Sequence, residues 1–354
     1  MEIKELITLL QSFDIPENMY QCEPISSGYI HSSYKVFVES TPVCVLQKFN
    51  TRVFSNPEYV YQNFQFVSPF LRSTAYTHFE WIPTKQGEPF LEDQENNLWR
   101  LLGYVPKSLN LESIESEAQA FECGRILGAF HRLVSDANPT SLKEPIEKFH
   151  NLTFRLDEFE EAKKTGPSER IKKTQPLLAD IAILSDFLSK NPKGNPLRVC
   201  HNDTKLSNVM FDRNSQEGLC LVDLDTVGPG FFYYDFGDMA RTVIGNKSED
   251  DFTEAKPELN LSYLDAMLSG MKASKLVLSN EEIKALTYGL VLIPFLHGIR
   301  ALTDYMYADI YYKLSYPEQN LDRAKQLLNF SKLAYNNLKS IIQIVNNVLE
   351  PQNL

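Results

Sequence analysis

The sequence is poor in the features that mark several large functional classes. It has five cysteines in 354 residues, Cys22, Cys44, Cys123, Cys200 and Cys220, and no two stand in CxxC spacing. That argues against a disulfide framework or a cysteine zinc site, and the odd, scattered set reads as reduced core thiols of a cytoplasmic chain. Positive charge is in deficit: 35 Lys and Arg face 46 Asp and Glu, for a net charge of -11. Binding of nucleic acid through a general basic surface is thereby excluded. Long apolar runs are missing too. The longest, Ala285–Leu296, falls short of the about 20 helical residues that span a bilayer. Met1–Leu6 lacks the charged and apolar regions of a signal peptide. The expectation is a cytoplasmic monomer that works on small molecules, with neither membrane nor nucleic acid as partner.

What is present is ordinary globular composition, 43% apolar and 23% charged. The length suggests two domains or lobes of roughly 150 residues each. Ile3, Leu6, Ile7 and Leu10 have helical spacing. Residues 25–38 read as strand, Gly turn, strand, and 43–49 as a third strand. Asn56-Pro57 opens a helix expected to run to Leu71, with Asn as N-cap. Thr77–Pro83 and Asn97–Val105 suggest two further strands. Residues 1–105 therefore form a small antiparallel β-rich lobe. From Glu115 to Val134 the period becomes 3.6, and helix dominates residues 106–354, with further helices near 155–163 and 170–190 and one long one over 319–349. A β hairpin interrupts this lobe between Val199 and Val227, and the acidic run Glu249–Asp251 reads as a solvated loop. The fold class is α+β, in two lobes.

The chemistry concentrates in His201-Asn202-Asp203-Thr204-Lys205-Leu206-Ser207-Asn208 and in Asp223-Leu224-Asp225, which follows a hairpin turn at Asn214–Gly218. Phosphoryl transfer needs cations on the terminal phosphate and an acceptor hydroxyl placed near a base. Magnesium needs hard oxygen ligands. Asp203 offers the base, Asn208 and Asp223 offer metal oxygens, and Lys205 can reach phosphate. Carboxylates about 4 Å apart repel by roughly 4 kcal/mol at an effective dielectric near 20. A site holding Asp203, Asp223 and Asp225 therefore favours a bound cation.

His-x-Asp-x-x-x-x-Asn followed by a hairpin and an Asp matches the kinase catalytic loop. Leu224 and Asp225 replace the usual Phe and Gly after that Asp, a departure that resembles the aminoglycoside phosphotransferase/choline kinase superfamily. Gly28–Tyr34, Val45–Asn50, His201–Lys205, Val222–Val227, Tyr234–Asp238, Ile299–Lys313 and Asn320–Ala324 narrow the resemblance to the N-acetylhexosamine 1-kinases. It covers nearly the whole chain, and the Arg300–Lys313 stretch points to the sugar kinases in particular. The resemblance implies a two-lobed protein-kinase-like fold, with a nucleotide-binding lobe over 1–105 and a catalytic, substrate-binding lobe over 106–354. It implies ATP as co-substrate and Mg2+, with the anomeric hydroxyl of an N-acetylhexosamine as acceptor. Asp203 would be the base, with Lys205 beside it. Asn208 and Asp223 would hold magnesium, with Asp225 as a further ligand. His31, Arg300 and Tyr311 would hold the sugar, and Asp235 would brace the catalytic loop. The nucleotide would lie against Gly28, Ser32, Gln47, Gly103, Tyr104 and Val105.

Some readings stay open at this level. Where kinases carry a phosphate-binding Lys, the third strand has Gln47 and then Lys48, and only one can face the cleft; relatives favour Gln47. His201, His131 and His297 read as structural, His131 on its helix dipole and His297 as a satisfied core residue. Asp235 and Asp238 read as anchors partnered by Arg241. A kinase of homoserine, choline or an aminoglycoside, or a nucleotide binder without catalysis, also fits the fold. The DxDxT-like Asp223-Leu224-Asp225-Thr226 suggests a haloacid-dehalogenase-like phosphatase, but that motif belongs after the first strand of a parallel sheet.

Overall fold

A computed structural model describes residues 3–25, 30–245, 258–312 and 314–349. Gly28 and the acidic run at 249–251 lie outside the described residues.

The N-terminal lobe opens with helix α1 (Ile3–Leu10) and strands β1 (Tyr20–Ile25), β2 (Ser32–Val38) and β3 (Thr41–Lys48). Helix α2 (Pro57–Val67) follows, then β4 (Trp81–Ile82), β5 (Leu91–Glu92) and β6 (Leu98–Gly103). The antiparallel sheet runs β1-β2-β3-β6-β4, with β5 also on β6. One face closes over a small core of Leu6, Leu10, Phe13, Val36, Leu46, Trp99 and Leu101. Phe49, Phe54, Trp81 and the buried side of α2 join the main core instead, so the hydrophobic interior is continuous across the lobes.

The helix expected to reach Leu71 stops at Val67. Ser68 keeps helical geometry, but Pro69 has no N–H to continue the ladder, and the next bonds tighten, Phe70 N–H onto the Val67 carbonyl and Leu71 N–H onto that of Ser68. Asn56 flanks Pro57 as expected but makes no side-chain cap bond. The strand expected over 77–83 shrinks to Trp81–Ile82.

The second lobe begins with β7 (Ser108–Leu109) and α3 (Glu117–Leu133), capped by Ser116. Helices α4 (Leu152–Thr165), α5 (Ser168–Thr174) and α6 (Leu178–Leu188) lead to β8 (Arg198–Cys200), β9 (Val209–Asp212), β10 (Gly218–Leu221) and β11 (Gly228–Gly230). The expected hairpin is β9–β10; β7 adds to β9, while β8 and β11 pair separately. Helices α7 (Phe232–Ile244), α8 (Leu261–Ala273), α9 (Asn280–Met306), α10 (Gln319–Asn336) and α11 (Leu338–Leu349) complete the lobe. The single helix expected over 319–349 is thus two. Asn337 turns its amide back onto the Leu333 carbonyl at 2.8 Å, a local bond that competes with the helical ladder.

Helix α9 is longer than its apolar stretch suggests. Its 27 residues are long and apolar enough to cross a membrane, yet 83% of its most apolar window is buried inside the fold. It is the central core helix, and α7 lies directly on it. A Cβ on Gly289 would stand 2.1 Å from the Tyr233 carbonyl oxygen, and one on Gly237 2.2 Å from that of Gly289. Only glycine permits this approach, which sets the height at which α7 meets the catalytic loop. All five cysteines are free and buried.

Candidate active site

The loop between β8 and β9 is held from beneath by Asp235, fully buried in the first turn of α7. Its Oδ2 accepts the His201 N–H and its Oδ1 the Asn202 N–H, both at 2.7 Å, while its carbonyl accepts the Thr204 hydroxyl at 2.6 Å. His131 Nε2 lies 2.8 Å from the same Oδ2. Burial opposes ionisation of Asp235, but the His131 hydrogen bond and the charges of His131 and His201 hold its pKa below the ordinary value. His131, read from sequence as serving its own helix dipole, is therefore part of the loop's foundation. Arg241 pairs with Asp238, at 2.7 Å, and not with Asp235.

This clamp holds Asn202 at φ 65°, a left-handed conformation that Asn tolerates better than most side chains. His201 spends both ring nitrogens on the backbone: Nε2 lies 3.0 Å from the Val222 carbonyl, and Nδ1 accepts the Asp203 N–H at 3.3 Å. That is a structural role, in line with the sequence.

Asp203 Oδ2 accepts from Lys205 Nζ and from Asn208 Nδ2, each at 3.0 Å. Burial raises the Asp203 pKa, yet the charge and hydrogen bond of Lys205, with His201 and Arg241, bring it below the usual carboxylate value. The Asn208 amide nitrogen also donates to the Asp203 carbonyl at 2.7 Å, leaving Oδ1 as the free end of the amide. The β9–β10 ladder extends one step further, with the Val222 N–H donating to the Asn208 carbonyl at 2.8 Å. That register carries Asp223 to the side of Asn208.

Asp223 stands at φ 63°. Its pKa is raised, first by burial and then by the negative charges of Asp225 and Asp203. A carboxylate raised by its acidic neighbours fits a hard divalent cation.

Asp225 is committed across the lobes. Arg100 Nη1 meets its Oδ1 at 2.5 Å, Arg100 Nη2 its Oδ2 at 2.8 Å, and His31 Nε2 its Oδ2 at 2.8 Å. Burial raises its pKa, but Arg100 and His31 drive it far below the ordinary value. Ligand atoms of His31, Asp223 and Asp225 lie within 4.8 Å of one another, so Asp225 remains near any ion at Asp223. The His31 ring is fully engaged, since its Nδ1 accepts the Asn50 N–H at 3.0 Å.

Arg100 escaped the sequence reading. It is 1% exposed on β6, opposite Gln47 on β3, and its guanidinium lies 5.1 Å from the Phe49 ring and 5.0 Å from Trp81. One signal was available: it is the sole charge in the apolar run Leu98–Leu102. Gln47 Oε1 accepts from Arg100 Nε at 2.8 Å, and Gln47 Nε2 donates to Ser33 at 2.9 Å. Gln47 therefore occupies the face turned towards the second lobe, and Lys48 shares the opposite face with Cys44 and Leu46. The cation there comes from the neighbouring strand.

The remaining nucleotide candidates lie around this sheet. Ser32 begins β2, opposite Lys48. Gly103 closes β6, donating its N–H to the Glu80 carbonyl at 2.8 Å, while Tyr104 donates to Val43 at 3.1 Å and Val105 is buried. These three residues form the connection between lobes.

On the other side of Asp203, Arg300 on α9 stacks on Phe149 at 4.7 Å and faces Tyr311 at 5.9 Å. Tyr311 is 43% exposed, on a loop pinned by Asp304, whose oxygens accept the N–H groups of Tyr311 and Tyr312 at 2.8 and 3.1 Å.

Comparison with known proteins agrees with this layout. The model of the phosphotransferase enzyme family (APH) matches residues 21–271. The chain belongs to that family. Among solved structures, this phosphotransferase is similar to a microcompartment-associated aminopropanol kinase, at TM-score 0.69 and 15% identity over 96% of this chain and 99% of the other. It is similar to an amicoumacin kinase in complex with AMP-PNP, Ca2+ and Ami, at 0.62 and 13% over 95% and 94%. A choline kinase from Cryptosporidium parvum gives 0.59 and 13% over 98% and 99%. At these identities the likeness establishes a shared kinase-like fold for the phosphotransferase.

Proposed function

We propose that this phosphotransferase is an ATP-dependent kinase of N-acetylhexosamines that phosphorylates the anomeric hydroxyl. One observation carries the catalytic part: Asp203, Asn208 and Asp223, apart in sequence, are joined by Asn208 Nδ2 to Asp203 Oδ2 at 3.0 Å and by Val222 N–H to the Asn208 carbonyl at 2.8 Å. In the reaction the acceptor oxygen attacks the terminal phosphorus, the bond to the β–γ bridging oxygen breaks, ADP leaves, and the hydroxyl proton passes to the Asp203 carboxylate. Lys205 and Asn208 orient that carboxylate. Its lowered pKa suits late proton transfer, as expected where the transition state is loose. Asn208 Oδ1 and Asp223 would hold Mg2+, which supplies charge neutralisation at the phosphates when bound. The nucleotide would lie against Ser32, Gln47 and the 103–105 connection.

The acceptor class rests on the resemblance through Arg300–Lys313 and on Arg300 beside Tyr311. In this reading Arg300 and Tyr311 hold the sugar, and His31 joins them only by releasing a partner. A cationic acceptor such as choline is disfavoured by Arg300 and the neighbouring Arg155, whose charges act on one another. The phosphatase reading finds little support, because the strand before Asp223 is antiparallel to β9 and Asp225 is tied to Arg100.

The test is ADP release across N-acetylglucosamine, N-acetylgalactosamine, choline and amino alcohols, with phosphorus NMR of the product. A sugar 1-phosphate is expected; phosphorylation at carbon six would refute the anomeric assignment, and turnover of choline alone the sugar assignment. Asp203→Asn should lower kcat by about 10² to 10⁴ in a protein that still folds; a wild-type rate would remove Asp203 from the mechanism.

A further inference from the structure

Two imidazoles on the acceptor side, His150 buried and His297 half-buried, each have a buried Nε2 that goes unused. His150 is 7% exposed just before α4. Its ring packs on Phe149 at 4.5 Å, Tyr234 at 4.8 Å and His297 at 6.3 Å. His297 lies on α9, about one turn before Arg300. Neither Nε2 has a hydrogen-bond partner among the described residues. Asp238 Oδ1 stands 3.7 Å from His297 Nε2, beyond hydrogen-bonding reach. Most buried polar atoms in folded proteins are paired, so two neighbouring orphans require a reason.

Their surroundings supply one. Phe149, which touches His150, is also the ring beneath Arg300. The charges of Arg300 and Asp203 act on His150, and those of Arg300 and Lys205 on His297. Both rings therefore lie within electrostatic range of the candidate acceptor arginine, and His150 also within range of the candidate base. Burial first, then nearby positive charge, keeps both rings neutral, His150 down to about 3. A neutral imidazole nitrogen can donate or accept according to tautomer. His31, by contrast, has both nitrogens occupied.

We propose that Nε2 of His150 and Nε2 of His297 hydrogen-bond the non-reacting polar groups of the acceptor, and that this pair sets acceptor specificity. The inference rests on the kinase reading and sharpens it. The acceptor is an uncharged molecule with at least two hydroxyl or amide groups besides the hydroxyl that reacts. A quaternary ammonium would leave both nitrogens unpaired beside Arg300.

His150→Phe and His297→Phe keep an aromatic ring and remove the orphaned nitrogen. Each variant should match or exceed the wild-type thermal midpoint, because a buried unpaired polar group is lost. Each should raise the KM for N-acetylglucosamine or N-acetylgalactosamine about 10- to 100-fold while leaving the KM for ATP unchanged. His150→Gln and His297→Gln, which restore an amide near Nε2, should recover part of the loss. Folded Phe variants with a wild-type sugar KM would overturn the proposal and leave the kinase reading standing. A second measurement is independent of the variants' folding: the imidazole resonances of His150 and His297 in the wild type should shift on adding the sugar. Unmoved resonances at saturating sugar overturn the proposal. If the wild type turns over choline and neither sugar, the proposal falls while the kinase reading survives; if it turns over no alcohol in the panel, both fall.

Discussion

Removing the Arg100 guanidinium would leave Asp225 a buried charge held by His31 alone of its two partners. Breaking such a pair from one side typically costs about 3–5 kcal/mol, whereas replacing both partners by apolar groups can be nearly neutral. Arg100→Met should therefore lower urea stability by roughly that amount, and Arg100→Met with Asp225→Leu should recover most of it. A single-variant loss below about 1 kcal/mol would mean that the link contributes as little as a surface pair. Asp203, Asn208 and Asp223 were legible in the sequence because a loop and a hairpin fix their spacing locally. Arg100 and His150 were not. The partners of Arg100 lie 53 and 125 residues away, and the surroundings of His150 form only when α7 and α9 pack beside it. His297 misled for a related reason: a histidine on an apolar helix reads as satisfied until the fold shows what its Nε2 can reach.

At the scale of elements, the catalytic loop depends on where α7 rests. Asp235 can bind the His201 and Asn202 amides only while α7 lies against α9 at the Gly237–Gly289 contact. Gly289→Ala would press a methyl group into the Tyr233 carbonyl. Overpacking of this kind typically costs about 1–3 kcal/mol, and here it would also tilt Asp235 away from the loop. The expected outcome is a drop in kcat larger than any change in the KM for ATP, with a lowered thermal midpoint. An active, merely less stable variant would show that the loop holds its shape without that seat. The sheet lobe, the helical lobe and the hairpin were all readable from periodicity. Their ends were less so, because Ser68-Pro69 and the Asn337 amide terminate helices whose apolar pattern runs on.

Across the whole molecule, stability and metal binding should be linked through acidity. Folding raises the Asp223 pKa, so its charged form weakens the folded state as pH climbs above the ordinary carboxylate value. Magnesium binding would relieve that cost. The increase in thermal midpoint on adding Mg2+ should therefore be larger at pH 7 than at pH 4, and should vanish in Asp223→Asn; saturation at 100 times Kd corresponds to about 2.7 kcal/mol. An increase independent of pH and retained in Asp223→Asn would place the ion elsewhere. Asp203, Asp225 and Asp235 behave oppositely. Their folded pKa values are depressed, so their contribution is complete above about pH 5 and is lost as acid protonates them.

The buried thiols make the two cores separately observable. Cys22 and Cys44 sit under the sheet with α1, while Cys123 and Cys220 belong to the interior shared with the helices. Burial pushes Cys44 and Cys220 up to about 12, so neither forms thiolate until its surroundings open. Timed alkylation followed by peptide mass mapping would then give each half of the protein its own clock, using only the sulfur atoms the chain already carries.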